Sequence, residues 1–523
     1  MLFTGGTVER GTWTSIRAWA VLAALLFGTS ASVRAQETSY SGKIVASFDP
    51  APAPPSDRGP ADQPVAPWAD RPFPINLATA FQLAGVQPID VAVASQQIQV
   101  AASQLTQANL LWLPTIMIGP DYSRHDGQIQ DVQGDVAPAS KQSFMVGAGP
   151  YAVFAVSDAI FEPLAARRVV EARNAALQTA RNDSLLAVAE AYFTVQQARG
   201  DLASAEDVAR RADSLVQRVQ ALSQGLVPRL EVVRARTQAR RSQQAVALAH
   251  ERWRTASADL MRVLRLDATT VAEPVEPPHL QVTLVAPDQP VEELVTMGLT
   301  NRPELSGQQA LVQSTLARIR QEKMRPFLPS ILARGTSTSA TGTLAGGFFG
   351  GGTNDDLSNF GGRFDYDVTV LWELKELGFG NYALVRQRQA ENEVAVLELS
   401  RLQDRVAAEV VKADAGVRSA TIRQTEAEAE LKDAVDSADK NLEGLRQTRS
   451  VGNMVVLVVR PQEAVASLQA LAQAYADYYG AIADYDRAQF RLYHALGHPA
   501  QAVANHQLTA TPAPPTPETG AKP

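Results

Sequence analysis

The chain has 523 residues, 48 Lys and Arg against 55 Asp and Glu, a formal net charge of −7, and no cysteine. Without cysteine there are no disulfide staples, no thiolate ligands, no thiol nucleophile and no N-terminal lipid carried on cysteine. The acidic balance, with no basic stretch, argues against a nucleic-acid partner.

In chain order, residues 1–35 read as a secretory signal peptide. Arg10 and Arg17 precede or border an apolar run from Ala18 to Phe27, and Val33-Arg34-Ala35 offers small or apolar residues at the cleavage positions. The alternative is a membrane anchor, but the uncharged run is shorter than the ~20 residues a spanning helix needs. Cleavage would remove Arg10, Arg17, Arg34 and Glu9, leaving 45 basic and 54 acidic residues and a net charge of −9. Residues 36–73 are rich in Pro, Ala, Asp and Ser, as in Asp49-Pro50-Ala51-Pro52, and residues 501–523 carry Pro512, Pro514, Pro515 and Pro517. Such composition buries too little apolar area to offset ordering, so both segments are expected to be disordered.

Between them the chain repeats itself. Pro88 matches Pro303, Leu113 matches Leu328 and Pro114 matches Pro329, each pair 215 residues apart. Helical segments at 89–111 and 304–326 each run into a Leu-Pro, which disfavours helix in the residue before proline. Gly225 and Gly452 pair at an offset of 227, so the second copy carries about a dozen extra residues, assigned to its Gly-rich loop. The expected repeats are 74–285 and 286–500, each a helix, two strands and a long helical hairpin.

The strand signal is strongest at Phe364–Leu374. Phe364, Tyr366, Val368, Val370, Trp372 and Leu374 alternate with Asp365, Asp367, Thr369, Leu371 and Glu373. This makes a two-faced strand of the ~9–11 residues that cross a membrane in a barrel, with Asp365, Asp367, Thr369 and Glu373 toward a wet lumen. Ile331–Thr338 is a weaker strand. In the first copy Ile116, Ile118 and Tyr122 alternate with small or polar residues, and Phe144, Val146, Ala148, Ala152, Phe154 and Val156 share one face. The segments His125–Gln142 and Ser337–Gly362 read as long polar loops, the second with Phe348 and Phe349 at its crest.

The helical signal is three-and-four spacing. Leu185, Val188, Tyr192, Val195, Leu202, Ala205, Ala209, Ala212, Val216 and Val219 form a seam in a helix from about Leu164 to Ser223. The return segments carry Ala249, Trp253, Ala256, Leu260 and Val263, then Leu468, Leu471, Tyr475, Tyr478, Ile482, Tyr485, Ala488 and Leu492. Alone, these hairpins would read as a soluble periplasmic coiled-coil scaffold. The strands change that, because four strands cannot close and an open edge cannot sit in lipid. Other copies of the chain must complete a barrel.

These residues resemble the TolC family of outer-membrane efflux and secretion ducts. The resemblance runs over about 74–500. It rests on Ile75-Asn76-Leu77-Ala78-Thr79-Ala80-Phe81 with Pro88, on Asn301-Arg302-Pro303-Glu304-Leu305, and on both Leu-Pro strand entries. The turns Gly225-Leu226-Val227 and Val451-Gly452-Asn453 and the ending Leu492-Tyr493-His494-Ala495-Leu496-Gly497 add to it. It implies a mainly α fold with a small membrane β part: a homotrimer whose four strands per chain make a twelve-stranded barrel, continued by long antiparallel hairpins as an α-barrel through the periplasm. It implies a passive outer-membrane channel of a tripartite efflux system for drugs or metals, with type I protein secretion as the alternative. It further implies a periplasmic adaptor, an inner-membrane pump or ABC transporter, outer-membrane lipid, no nucleic acid and no cofactor.

By that resemblance, Gly225, Leu226, Val227, Val451, Gly452 and Asn453 are tip residues that meet the adaptor; the two glycines would also end their helices in left-handed turns. The chain departs from the family after the second turn. Acidic constriction positions fall near Val458 and Pro461 in Met454-Val455-Val456-Leu457-Val458-Val459-Arg460-Pro461. Arg449, Met454, Val458, Arg460 and Pro461 are the candidates for a constriction there, Val455–Val459 reading either as a packed seam or as an apolar narrowing. A proline inside the helix at 461 would bend it. No phosphate loop or His-Glu-x-x-His occurs, and His125, His250, His279, His494, His498 and His506 are not at metal-ligand spacing. The expected chain is not an enzyme.

Overall fold

The computed structural model describes residues 71–86, 88–223, 227–286, 288–335, 347–353, 359–363, 365–451 and 454–498. The expected signal, nearly all of the leader, and the tail lie outside these residues. So do Gly225, Leu226, Gly452, Asn453 and Phe364.

The described chain opens with β1 (Pro72–Ile75). This strand begins inside 36–73, because Ile75 is buried and Phe73 packs on the core, a gain the surrounding prolines do not offset. α1 (Leu77–Val86) follows, started by Asn76 Oδ1, which accepts the Thr79 N–H at 2.7 Å. α2 (Ile89–Asn109) runs into a 3-10 turn at Leu110–Trp112, and Leu113 is extended before Pro114. β2 (Thr115–Gln130) pairs antiparallel along its whole length with residues 136–151 of β3 (Val136–Ala155). The expected loop 125–142 therefore shrinks to residues 131–135, where Asp131 Oδ1 accepts the N–H groups of Gln133 and Asp135, both at 2.9 Å. Its polar residues belong to a ladder: the hydroxyls of Ser123 and Ser143 meet across it at 2.6 Å.

α3 (Val156–Leu222) has 67 residues and spans ~100 Å; Val156, expected as the strand's end, is its first residue. α4 (Arg229–Leu264), of 36 residues, returns along it. β4 (Val271–Pro274) then pairs in parallel with β1. α5 (Val291–Asn301) and α6 (Pro303–Met324) lead to β5 (Ser330–Gly335), β6 (Gly347–Thr353), β7 (Asn359–Arg363) and β8 (Tyr366–Leu371). α7 (Phe379–Gly444), of 66 residues, is followed by β9 (Thr448–Val451), β10 (Met454–Leu457) and α8 (Pro461–Ala495), of 35 residues. The second half thus runs in the same order as the first, with near-equal helix lengths.

Among the described residues of the expected strand 364–374, Tyr366–Leu371 pair and 372–374 do not. The expected loop 337–362 contains β6 and β7, so Phe348 lies in a strand rather than at a loop crest. The glycines hide this strand from any periodicity argument. Gly350 is bare for a reason: a Cβ there would meet the Phe360 ring of β7, which lies over it.

The sheet is all antiparallel. β3 pairs β2 on one side; on its other side lie β5, against 151–155, and β6, against 141–146. β8 pairs β5 and β7 pairs β6. The pieces therefore form four strand lanes among the described residues.

The helices pack through the expected seams. Leu185, Val188, Tyr192, Val195, Leu202, Ala209, Ala212 and Val219 of α3 are buried, as are Leu468, Leu471, Ile482, Tyr485, Ala488 and Leu492 of α8. One cluster joins α1, α3, α4 and α8 around Tyr192, Phe193, Trp253 and Phe490. A second joins the far ends of α3, α4, α7 and α8 around Leu215, Val219, Leu442 and Leu468. Close approach of α8 to α3 depends on Gly200, where a Cβ would stand 2.5 Å from Tyr479 Cδ1.

Candidate functional site: a two-faced sheet and the hairpin tips

Register fixes which residues share a face of the sheet. Ile118 lies opposite Ala148, Tyr122 opposite Phe144, Val146 opposite Phe348, Phe154 opposite Ile331, and Ile331 opposite Val370. Between the Ile116 and Tyr122 rows one face is therefore apolar across all four lanes; beyond Tyr122 the same face turns polar, with Arg124 opposite Gln142 and Asp126 opposite Ser140. Ile116, Ile118, Val146, Phe348, Phe360 and Val368 on it are exposed, Val368 at 67%. The other face is mixed: it carries Thr115, Gly119, Asp121 and Ser123 on β2 and Asp367 and Thr369 on β8, together with Val153, Leu332 and Leu371, and Thr369 Oγ1 donates to Asp367 Oδ1 at 3.4 Å. Asp365 and Glu373 lie just beyond the ends of β8, and Lys375 Nζ is 4.0 Å from Glu373 Oε1.

Where strands meet helices, Trp112, Phe327, Trp372, Leu374, Leu377 and Phe379 are exposed. The joint between β8 and α7 is strained: Glu376 (φ 43) and Leu377 (φ 58) adopt left-handed backbone, at a cost of ~1–2 kcal/mol each. Asn381 Oδ1 holds it by accepting the Lys375 N–H at 2.8 Å.

At the opposite end of the helices, the two turns differ. α3 ends at Ser223, whose hydroxyl donates to Gln220 O at 2.7 Å, and α4 starts after Pro228. Val227 is 8% exposed and packs in the cluster with Leu215 and Leu468. This corrects its reading as an exposed docking contact, because its apolar side chain gains more from that core than from solvent. The second turn is a β-hairpin: Met454 pairs Val451, and Leu457 pairs Thr448, across residues 452–453. Val458 N–H donates to Gln447 O at 3.1 Å. Arg449, Val451 and Met454 are thus backbone members of this hairpin, and Val458 follows it, exposed. The run 455–459, β-branched at all positions but Leu457, favours extended chain over the helical seam considered for it. Pro461 is the first residue of α8, not an interior one, so it costs no helical bond and bends nothing. Arg460 precedes it, exposed; its N–H donates to Glu463 Oε2 at 3.4 Å and its carbonyl accepts the Glu463 N–H at 2.9 Å. Arg218 of α3 ties the turns together by donating to Leu442 O at 2.6 Å.

Sequence reasoning passed over the polar pins between helices and connecting segments. Asp486, fully buried on α8, accepts the Val282 N–H at 2.8 Å. Gln489 accepts from Leu284 N and Val285 N at 3.1 and 3.0 Å. Burial pushes the Asp486 carboxyl well above the usual carboxylate range, the Val282 N–H and Arg487 opposing it. Glu276 accepts the Leu77 N–H at 2.9 Å and the Tyr192 hydroxyl. The only signal was placement: Asp486 and Gln489 fall on the buried stripe of α8, beside Tyr485 and Leu492. Among the described residues no group of His, Asp and Glu could hold a metal ion, and no helix is long and apolar enough to cross a membrane.

Comparison with known proteins agrees with this geometry. The sequence model of the outer membrane efflux protein family matches residues 81–264. No curated protein matches the chain. Among solved structures, the CmeC outer membrane channel of Campylobacter jejuni aligns with TM-score 0.63 and 14% identity, covering 81% of this chain and 85% of that one. The outer membrane protein VceC of Vibrio cholerae aligns with TM-score 0.61 and 13% identity, over 80% and 96%. The open state of the MtrE outer membrane channel of Neisseria gonorrhoeae gives 0.63 and 16%, over 81% and 89%. At these identities the likeness is one of fold.

Proposed function

We propose, from a chain that carries the outer membrane efflux protein segment over residues 81–264 and shares its fold with outer-membrane channels, that three copies form a passive export duct. Each copy contributes four strand lanes to one closed barrel in the outer membrane. The helices continue it into the periplasm. No bond is made or broken; substrate moves through. The observation that carries the reading is the continuous apolar face shared by all four lanes, in the same chain as two helices of ~100 Å. In water such a face is a liability; in lipid it is required. Exposed Trp112, Trp372 and Phe379 at the strand–helix junction suit the aromatic girdle at a membrane surface.

The duct works with a periplasmic adaptor and an energised inner-membrane partner, as the outer-membrane part of a tripartite system for small molecules. The far ends of the hairpins, around residues 225–226 and 451–453, are the docking region. The β9–β10 hairpin with Val458 and Arg460 is the constriction, apolar and basic rather than acidic. Light scattering of the purified protein in mild detergent, together with single-channel conductance in planar bilayers, tests this. Three copies per particle and discrete conductance steps are expected; a monomer without conductance refutes it.

A further inference from the structure

Between α3, α4 and α8 lies a cavity of about 300 Å³ that the transport reading does not use. It sits where the two helical core clusters give way to one another. Leu202 and Ala249 belong to one cluster, and Val208 and Ala239 to the other. Small residues make the gap: Ala205 on α3, Ala245 on α4, and Ala472 and Ala476 on α8.

The polar groups of the lining are mostly donors. Ser242 is 4% exposed, and its hydroxyl has no partner. Gln238 spends its carbonyl on the Gln469 amide at 2.9 Å, which leaves its own N–H groups to give. Arg241 and Arg252, both exposed, stand at the rim. Against these, the acceptor is Asp201, whose Oδ1 is also without a partner. Two guanidinium groups against one carboxyl leave the lining net positive. Arg241 and Arg252 are eleven residues apart on α4, a rise of ~16 Å. Asp201 feels the charge of Arg252, so the groove has an Asp201–Arg252 end and a Gln238–Arg241–Ser242 end. Burying the unpartnered Ser242 hydroxyl costs ~1–3 kcal/mol, a cost that an acceptor ligand removes.

We propose that this groove binds a small amphipathic monocarboxylate. Its carboxylate meets Arg241, Ser242 and Gln238, its apolar body lies on the alanines, and a hydroxyl at its far end donates to Asp201. The volume is at the lower end of ordinary small-molecule sites. Bound there, the ligand would bridge the two core clusters and fix α4 and α8 against α3.

The probe is 3-(4-hydroxyphenyl)propionate, titrated calorimetrically into the full chain in detergent. One saturable site per chain is expected. 4-Ethylphenol, which lacks the carboxylate, should bind at least tenfold more weakly. Arg241→Gln should raise Kd at least tenfold, since it removes a charge-assisted pair. Ala245→Trp, at an exposed lining position, should abolish binding with the circular dichroism spectrum retained. If that variant misfolds, Asp201→Asn replaces it and should weaken the probe but not its analogue without the hydroxyl, 3-phenylpropionate. Absence of saturable heat overturns the proposal, as does binding unchanged by these substitutions.

Discussion

Val368→Lys separates lipid from water at the apolar face. Val368 lies on β8, opposite Ala333, with its side chain 67% exposed in the chain. If the face meets water, an exposed valine tolerates lysine within ~0.5 kcal/mol. If it meets hydrocarbon, the charge costs ~2–4 kcal/mol near the midplane of a barrel wall, and less near an interface. Thr369→Lys, one residue along on the other face, should cost under ~1 kcal/mol in either case. The assay is equilibrium urea unfolding of protein folded into phospholipid vesicles, with the heat-modifiable gel band as a second readout. A loss of at least 2 kcal/mol for Val368→Lys beside a near-neutral Thr369→Lys is expected. Equal, small effects at both positions would refute the assignment of faces.

Further outcomes follow from the helices. Gly200→Ala gains ~1 kcal/mol of helix propensity but forces a Cβ against the Tyr479 ring, a cost of ~1–3 kcal/mol. It should destabilise the native chain yet stabilise a Tyr479→Ala background, and a common sign in both backgrounds by urea titration refutes the contact. Asp486 has a folded pKa raised by burial, so its contribution is fully present below the unfolded value near 4 and is lost as pH rises toward the raised value. Hydrogen-exchange protection of residues 280–286, corrected for intrinsic rates, should fall through that window by up to ~1.4 kcal/mol per pH unit, and the slope should vanish in Asp486→Asn. Pro461→Ala should leave conductance unaltered and should not stabilise by the ~3 kcal/mol that removing an interior proline would give. Val227→Asp buries a charge and should lower oligomer yield and transport together; loss of transport alone would restore an exposed role.

How much of this could be read beforehand depended on whether one segment's own periodicity carried the information. Leu185, Val188, Tyr192 and Val195 announce α3 by spacing alone, and all four are buried. Tyr366, Val368 and Val370 likewise announce a face. β6 and β7 do not, because Gly350, Gly351 and Gly361 have no side chain to alternate, and their strand character comes from pairing with β3 and with each other. The β9–β10 hairpin failed for a different reason. A short apolar run such as Met454–Leu457 fits a buried helix or a strand equally well, and Pro461 was the punctuation that marked the helix start. The roles of Asp486 and Gln489 were not legible, because their partners are backbone groups some 200 residues away.

The most direct test of the account uses the absence of cysteine, which makes single-cysteine labelling free of background. Nitroxides at Ile118, Val146 and Val368, and at Gly119 and Thr369 on the opposite face, would be read by electron paramagnetic resonance in reconstituted bilayers. The account predicts that the first three relax with oxygen and resist a water-soluble nickel chelate, while the other two do the reverse. Nickel access at all five positions would contradict it.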